Sequence, residues 1–425
     1  MEEFSQASLS GGNLHADPGP ATQLLNLDTT LDLRQRGCLI DLDRQLHGLW
    51  GLGRNFILSW TPRAGEMLLL VVPHYRIADY AIATGTEMPD EESHAFITRM
   101  LSGSRCFSER QLHSAAQLLG AEPVAVSLRQ AVGDTAAEIQ LIDQLVRRYS
   151  VSYAAGRAVA LFDIVGFGLL SPFEQMTQLN SLSHSLNSAH SKMLESAMTI
   201  DFARSSTGDG FYIWNRELGV NANTHLYHFM HLVLADNAIA QRKAHGRTVP
   251  NLRAAFQVGS CYEFYHAEGL NPTLYTDLVG EVTVDLARMV ERAMPGQVLV
   301  GEFAGSLSTG PSAGLDQDSI DSIEFVAQAQ QSLEQLNGLE LSGDAIESIK
   351  CYLTGEAQAD GTFGIRRLSI HDKHGLKRYV YNAKINIYRR AAEPILLGIE
   401  DRHLQASGMA DTEDLPQRKP APLTS

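Results

Sequence analysis

Two aspartates in this chain are placed as a pair of catalytic metal ligands would need to be. Asp163 lies in Leu161-Phe162-Asp163-Ile164-Val165-Gly166-Phe167-Gly168, and Asp209 in Ser205-Ser206-Thr207-Gly208-Asp209-Gly210. Two carboxylates brought close together repel unless they share a cation. Hard oxygen donors completed by substrate phosphates suit magnesium, so the pairing points to chemistry on a nucleoside triphosphate. Asp163 ends the apolar run Ala158 to Phe162, and the glycines that follow leave a bare backbone that can approach phosphate closely.

The elements between the two aspartates must bring them together. The run before Asp163 reads as a buried strand. Ser171-Pro172-Phe173-Glu174 supplies a capping residue, proline at the first helical position and glutamate three residues after the cap, so a helix starts there. Met176, Leu179, Leu182, Leu186, Ala189 and Met193 give it one apolar stripe, and it is expected to end near Ala197. Ile200, Phe202 and Phe211 to Trp214 predict two strands joined at Thr207-Gly208-Asp209-Gly210, which puts Asp209 at a hairpin tip. A second long helix is expected over Thr224 to Lys243, with Leu226, Phe229, Met230, Val233, Leu234 and Ala238 buried, and a further strand over Leu252 to Val258.

With these motifs in hand, residues 152 to 305 resemble the catalytic domain of the class III nucleotidyl cyclases, the adenylyl and guanylyl cyclase homology family. Asp163-Ile164-Val165-Gly166-Phe167 and Gly208-Asp209 match that family's two metal motifs, Tyr275 to Gly280 its base-contacting segment, and Pro295 to Val300 its closing turn and strand. The resemblance implies an α/β (α+β) fold, a ferredoxin-like core with helices on a mainly antiparallel sheet. It implies a homodimer with active sites at the interface, and two Mg²⁺ (or Mn²⁺) ions per site held by Asp163, Ile164 and Asp209. Val165, Gly166, Phe167, Gly168, Ser205, Gly208 and Asp277 would bind substrate, and Arg288 would be the catalytic arginine that stabilises the transition state. The implied reaction converts a nucleoside triphosphate, ATP in the first place, to a 3',5'-cyclic nucleotide and pyrophosphate.

The chain departs from the family at two positions. Ser205 stands where adenylyl cyclases carry a lysine, and Arg204, one residue earlier, should face the other side of its strand. Val284 replaces an asparagine, and Asp285 is swung away from the Arg288 face by a helical step of about 100°. A pyrimidine-specific cyclase and a catalytically silent nucleotide-binding or dimerisation module therefore stay open as alternatives. Taken singly, Asp163 and Asp277 also read as cap or turn residues, Asp209 as a turn residue and Arg288 as part of a solvated helix face. The capped helix and the order of elements favour the joint metal reading. His225, His228 and His231 do not make a metal site, since the first and last lie about 240° apart around a helix.

Composition bounds the rest. The 425 residues are 44% hydrophobic and 20% charged, ordinary globular stock and more than one typical domain. A net charge of -15 and no basic stripe argue against a nucleic-acid polymer as partner. Four scattered cysteines indicate neither zinc nor disulfides, which suits a reducing cytoplasm. Neither a signal peptide nor a membrane span is expected, Met67 to Val72 being far too short. The expected organisation is a loose tail over 1–24, an N-terminal α/β domain over 25–133 of regulatory type, a connecting helix over 134–151, the cyclase-like domain over 152–305, a C-terminal extension over 306–405 and a tail over 406–425. Strands are expected at Asn55 to Trp60 and Met67 to Val72, and a helix at Arg110 to Leu119. Ile139, Ile142, Leu145 or Val146, and Tyr149 are spaced for a parallel dimer seam along the connecting helix. Arg366 to Ile370 and Arg378 to Tyr388 alternate as strands around Asp372-Lys373-His374-Gly375, a hairpin signal, beside a basic cluster read as a solvated face.

Overall fold

The computed structural model describes residues 33–82, 91–129, 135–196, 198–267, 274–306, 319–341, 343–356, 364–371, 375–406 and 410–415. The tails expected over 1–24 and 406–425, most of the linker after Ala304 and the turn at 372–374 fall wholly or mainly outside these residues. The chain divides into two compact units, Met1–Val151 with Phe264–Tyr275, and Ser152–Glu263 with Thr276–Ser425.

In the first unit, α1 (Leu33–Trp50) is followed by β1 (Asn55–Arg63), β2 (Glu66–Pro73), α2 (His74–Ile82), α3 (Glu91–Ser102), α4 (Glu109–Leu118), β3 (Val124–Ser127) and α5 (Ala136–Arg147). The strands form an antiparallel sheet in the order β1-β2-β3. Leu42, Leu46, Trp50, Trp60 and Leu69 build its core. Ile142, Leu145, Val146 and Tyr149 are buried in that same core. The apolar face expected to form a dimer seam is thus consumed by the chain's own packing, because a strand pair that buries one face needs a helix to cover it. Arg105 is fully buried and donates to the carbonyls of Met100 (2.8 Å), Leu101 (3.0 Å) and Val151 (2.7 Å), which satisfies a charge that would otherwise be costly there.

The second unit runs β4 (Val151–Ile164), α6 (Pro172–Glu195), β5 (Phe202–Ser206), β6 (Gly210–Asn215), α7 (Val220–Lys243) and β7 (Leu252–Ala267), a β-α-β-β-α-β sequence. These strands lie side by side as β7-β4-β6-β5, the ferredoxin-like arrangement. Then come β8 (Leu274–Val279), α8 (Glu281–Arg292), β9 (Val298–Gly301), β10 (Ala304–Ser306), β11 (Ser319–Asp321), α9 (Ser322–Ser332), β12 (Glu340–Leu341), β13 (Asp344–Leu353), β14 (Ile365–His371), β15 (Lys377–Arg389), β16 (Ile395–Leu397) and β17 (Ala410–Leu415). β9 pairs parallel with β7 and antiparallel with β15, so the C-terminal hairpin β14-β15 joins the core sheet. Among the described residues that sheet has twelve strands and is mostly antiparallel.

Both faces of the sheet are covered. Ala158, Ala160, Phe162 and Ile164 of β4 pack with α6, α7 and α9, while Val159 and Leu161 pack with Leu278 and with Leu286 and Met289 of α8. This is the period-two alternation of a strand buried on both sides. α6 begins where the capping box predicts, with Glu174 N–H donating to Ser171 Oγ and Ser171 N–H to the Glu174 carboxylate. α7 is buried nearly all round, because α9 covers a side that the sequence pattern leaves open. Across the sheet, Arg157 and Glu263 form a buried ion pair at 2.7 Å, and Trp214 Nε1 donates to the same carboxylate at 3.0 Å.

Candidate active site

Asp163 sits next to the end of β4, directly opposite Gly210 at the start of β6. The next residue ties the two metal motifs together, with Ile164 N–H donating to the carbonyl of Asp209 at 3.0 Å. That approach demands glycine at 210: a Cβ there would stand 1.9 Å from the Phe162 carbonyl oxygen. Gly208 takes a φ of 96° at the hairpin tip, a conformation that favours glycine. Thr207 N–H closes the turn on Gly210 O at 3.0 Å, and Thr207 Oγ1 donates to the Asp209 carboxylate at 3.1 Å. The backbone thus holds Asp209, in the β5-β6 turn, against the end of β4 that carries Asp163.

Asp163 is only 7% exposed, and Asp209 is half-buried. Asp163 follows the Val159 and Leu161 alternation and so lies on the α8 side of the sheet. Burial raises its carboxyl above the ordinary value, the Arg253 guanidinium opposes that rise, and the Asp209 charge adds to it. Arg253 Nε donates to Asp163 Oδ2 at 2.5 Å, and Arg253 Nη1 to Ala293 O at 3.1 Å. The sequence reading missed Arg253. Its one signal was a cation inside the otherwise apolar start of β7, where a charge needs a buried partner.

Ile164 is buried, and its one donor atom for a cation is its backbone carbonyl oxygen. Val165 is half-buried and donates its N–H to Asn251 O at 2.9 Å, Gly166 and Gly168 are exposed, and Phe167 packs against the core. Gly166 has a φ of 70°. Just beyond, Leu169 is 86% and Phe173 69% exposed, an apolar lip beside the glycine loop.

Ser205 and Asp277 are brought together, Ser205 Oγ donating to Asp277 Oδ1 at 2.8 Å. Ser205 shares the strand face of buried Ala203. Arg204 points the other way, as its parity predicts, and donates to Ser183 of α6 at 2.7 Å. Arg288, 26% exposed, pairs with Glu291 at 3.1 Å, and its Nε is buried with no hydrogen-bond partner. Among the described residues no ion pair joins Arg288 to Asp163 or Asp209. Val284 is half exposed, and Asp285 pairs instead with Arg378 of β15.

Solved structures that this chain resembles include cyclases. The guanylyl cyclase Cya2 has 12% identity and a TM-score of 0.31, with 55% of this chain and 92% of that one covered. The guanylate cyclase domain of RhGC from Catenaria anguillulae, in complex with GTP, has 13% identity and a TM-score of 0.31, covering 56% and 99%. The adenylyl cyclase CyaB from P. aeruginosa has 13% identity and a TM-score of 0.28, covering 55% and 95%. No family model and no curated protein matches the chain. At such identities the side chains, rather than the likeness, have to carry a functional reading.

The donors suit a hard divalent cation. Asp163 and Asp209 offer oxygen only, and their mutual repulsion is relieved by a shared positive charge. Among the described residues no cluster of three or more His, Cys, Asp or Glu forms a complete metal cage, so phosphate and water would have to finish the coordination shell. The buried histidines are a separate matter. His228 Nε2 meets Ala329 O at 3.2 Å, while neither nitrogen of His231 has a hydrogen-bond partner. Among the described residues no helix is long and apolar enough to cross a membrane.

Proposed function

We propose that this chain is a class III-type nucleotidyl cyclase acting on a nucleoside triphosphate, ATP first, to give a 3',5'-cyclic nucleotide and pyrophosphate. The observation that supports the proposal is the backbone tie between Ile164 and Asp209, which holds the Asp209 turn against the end of β4, where the Asp209 charge acts on the Asp163 carboxyl. Asp163, Asp209 and the Ile164 carbonyl would hold the divalent ions. When bound, such ions acidify a hydroxyl and neutralise phosphate charge. In the reaction the ribose 3'-oxygen bonds to the α-phosphorus, the bond to the pyrophosphate oxygen breaks, and the hydroxyl proton leaves to solvent.

The chain's own groups supply the rest. Arg253 opposes the burial that raises the Asp163 carboxyl and adds positive charge where phosphates would enter. The exposed backbone of Gly166 and Gly168 can approach a phosphate without side-chain hindrance. Arg288, with a buried and unpartnered Nε, has donor capacity left for charge growing on phosphoryl oxygens. Asp277 accepts hydrogen bonds, which favours a base presenting an exocyclic amine, adenine or cytosine, over one presenting a carbonyl. Ser205 donates to Asp277 and so orients that acceptor.

The proposal includes a homodimer in which Asp163 and Asp209 of one protomer face Asp277 and Arg288 of the other. The exposed Leu169 and Phe173 beside the glycine loop support it, since an apolar lip there calls for a covering surface. Incubating the purified protein with each of the four triphosphates and Mg²⁺ or Mn²⁺ tests it: cyclic AMP is the expected product, and no cyclic nucleotide from any of them overturns the enzymatic assignment. One observation favours a silent nucleotide-binding module instead, the apolar and exposed Val284 where the resemblance implies asparagine. Calorimetric binding of ATP without turnover would select that second reading.

A further inference from the structure

The first unit carries a cleft of about 350 Å³ between α3 and α4, near the lower end of the volumes that small-molecule sites occupy. Its walls are apolar, built from Phe96, Met100, Phe107 and Leu118. Phe96 is braced by Tyr80 at a ring separation of 5.5 Å, and α4 is held at its start by a complete capping box on Ser108. Leu118, half exposed, forms part of the apolar rim of the cleft.

Two arginines, Arg99 and Arg110, line the same cleft. Arg99 spends its Nε on Ala95 O at 3.3 Å, and among the described residues neither arginine is paired with a carboxylate. The neighbouring Glu109 is engaged by Arg63 instead. In a chain with 49 acidic residues against 34 basic ones, two unpaired guanidinium groups at one apolar cleft are a selective feature. Guanidinium matches a carboxylate bidentately. Gln111 and Ser114 add polar atoms to the same wall.

We infer that this cleft binds a small amphipathic carboxylate, its hydrocarbon body against Phe96, Met100, Phe107 and Leu118 and its headgroup at Arg99 and Arg110. A concavity of this volume fits a small-molecule occupant. The charge pattern excludes a cationic or neutral occupant as the preferred one.

The probe is decanoate, titrated calorimetrically into the full chain, with decanol and decylamine as controls of equal length. Decanoate is expected to bind in a saturable 1:1 manner at least tenfold more tightly than either control. The Arg99→Gln/Arg110→Gln double variant is expected to lose about tenfold or more in affinity, the scale of charge-assisted hydrogen bonds. Both residues are exposed, so the variant should fold, which an unchanged circular dichroism spectrum would verify. Leu118→Asp should abolish binding of decanoate through its apolar end. Equal binding of decanol, an unchanged affinity in the double variant, or light scattering showing a second copy seated over Leu118 would each overturn the inference. Because the readout is binding, it stands or falls independently of cyclase activity.

Discussion

Replacing Asp209 by asparagine separates a functional carboxylate from a structural one, because the two predict opposite changes in stability. The substitution removes one charge yet keeps the oxygen that accepts from Thr207 Oγ1, so the hairpin is undisturbed. What it relieves is repulsion on Asp163, whose carboxyl is raised by burial first and by the Asp209 charge in addition. Like unit charges at close range repel by roughly 1 to 4 kcal/mol between aqueous and protein-surface dielectric values. The half-exposure of Asp209 and the opposing Arg253 put the gain near the low end, about 1 kcal/mol or a melting shift of ~2 °C. The sign follows from proton linkage. With its pKa raised, Asp163 binds more protons folded than unfolded just above the ordinary carboxylate range, so stability falls as pH rises through that window. In Asp209→Asn that slope should flatten. Cyclic nucleotide formation should meanwhile drop by about 10³-fold, some 4 kcal/mol of transition-state stabilisation. Scanning calorimetry between pH 4 and 7 and a cyclase assay read both effects. A variant that melts lower than the parent, or that keeps its turnover, would refute the argument.

Three further outcomes follow from the packing. Asp277→Asn offers the base a donor where the parent offers only acceptors, so the relative kcat/KM for ATP against GTP should fall by about 10- to 100-fold, measured in parallel with both triphosphates. His228 is buried with its pKa pushed down to about 4, and His231 is held well below the ordinary value, burial being the main cause in each. As pH falls below about 6.5 the unfolded chain takes up protons that the folded one refuses, so stability should drop by about 1.4 kcal/mol per pH unit for each histidine down to its folded pKa. In His231→Phe, which forfeits no hydrogen bond, urea midpoints should show roughly half that acid slope. Glu263→Gln strips the charge from the partner of buried Arg157 and should cost about 3 kcal/mol or more in urea denaturation, with Trp214 fluorescence reporting the transition.

The core was legible in the sequence wherever a local rule sufficed. The apolar run into Asp163, the Ser171 capping box and the Gly208-Asp209-Gly210 turn each encode their own geometry, and β4, α6 and the β5-β6 hairpin form there. Local rules misled at Gly259, which the pattern takes as the end of a strand. β7 continues to Ala267, and the missing side chain instead lets α8 come close, since a Cβ would meet Val282 at 3.3 Å. α7 starts at Val220, four residues before its apolar pattern becomes visible, because Asn223 is spent on Ala158 N–H and Gly156 O rather than on a cap. Periodicity alone could not show that α5 packs on its own unit, nor that β15 lies beside β9, since partner choice between distant segments is not a local property. Arg253 was only half legible for the same reason: a cation in an apolar strand marks it, but its partner, Asp163, lies ninety residues away.

The parallel junction of β7 with β9, and the covering of β9 by β15, carry a consequence for how this protein can be cut. Val298 to Gly301 exchange backbone hydrogen bonds on one side with Ala254 to Phe256 and on the other with Val380 to Ala383. A polypeptide ending near residue 305, the natural guess for an excised catalytic fragment, would lay bare the outer edge of β9 and an apolar rim. Such an open edge recruits strands from other molecules. The last hundred residues thus act as a built-in guard against fibrous self-association, and minimal versions of this protein have to keep them.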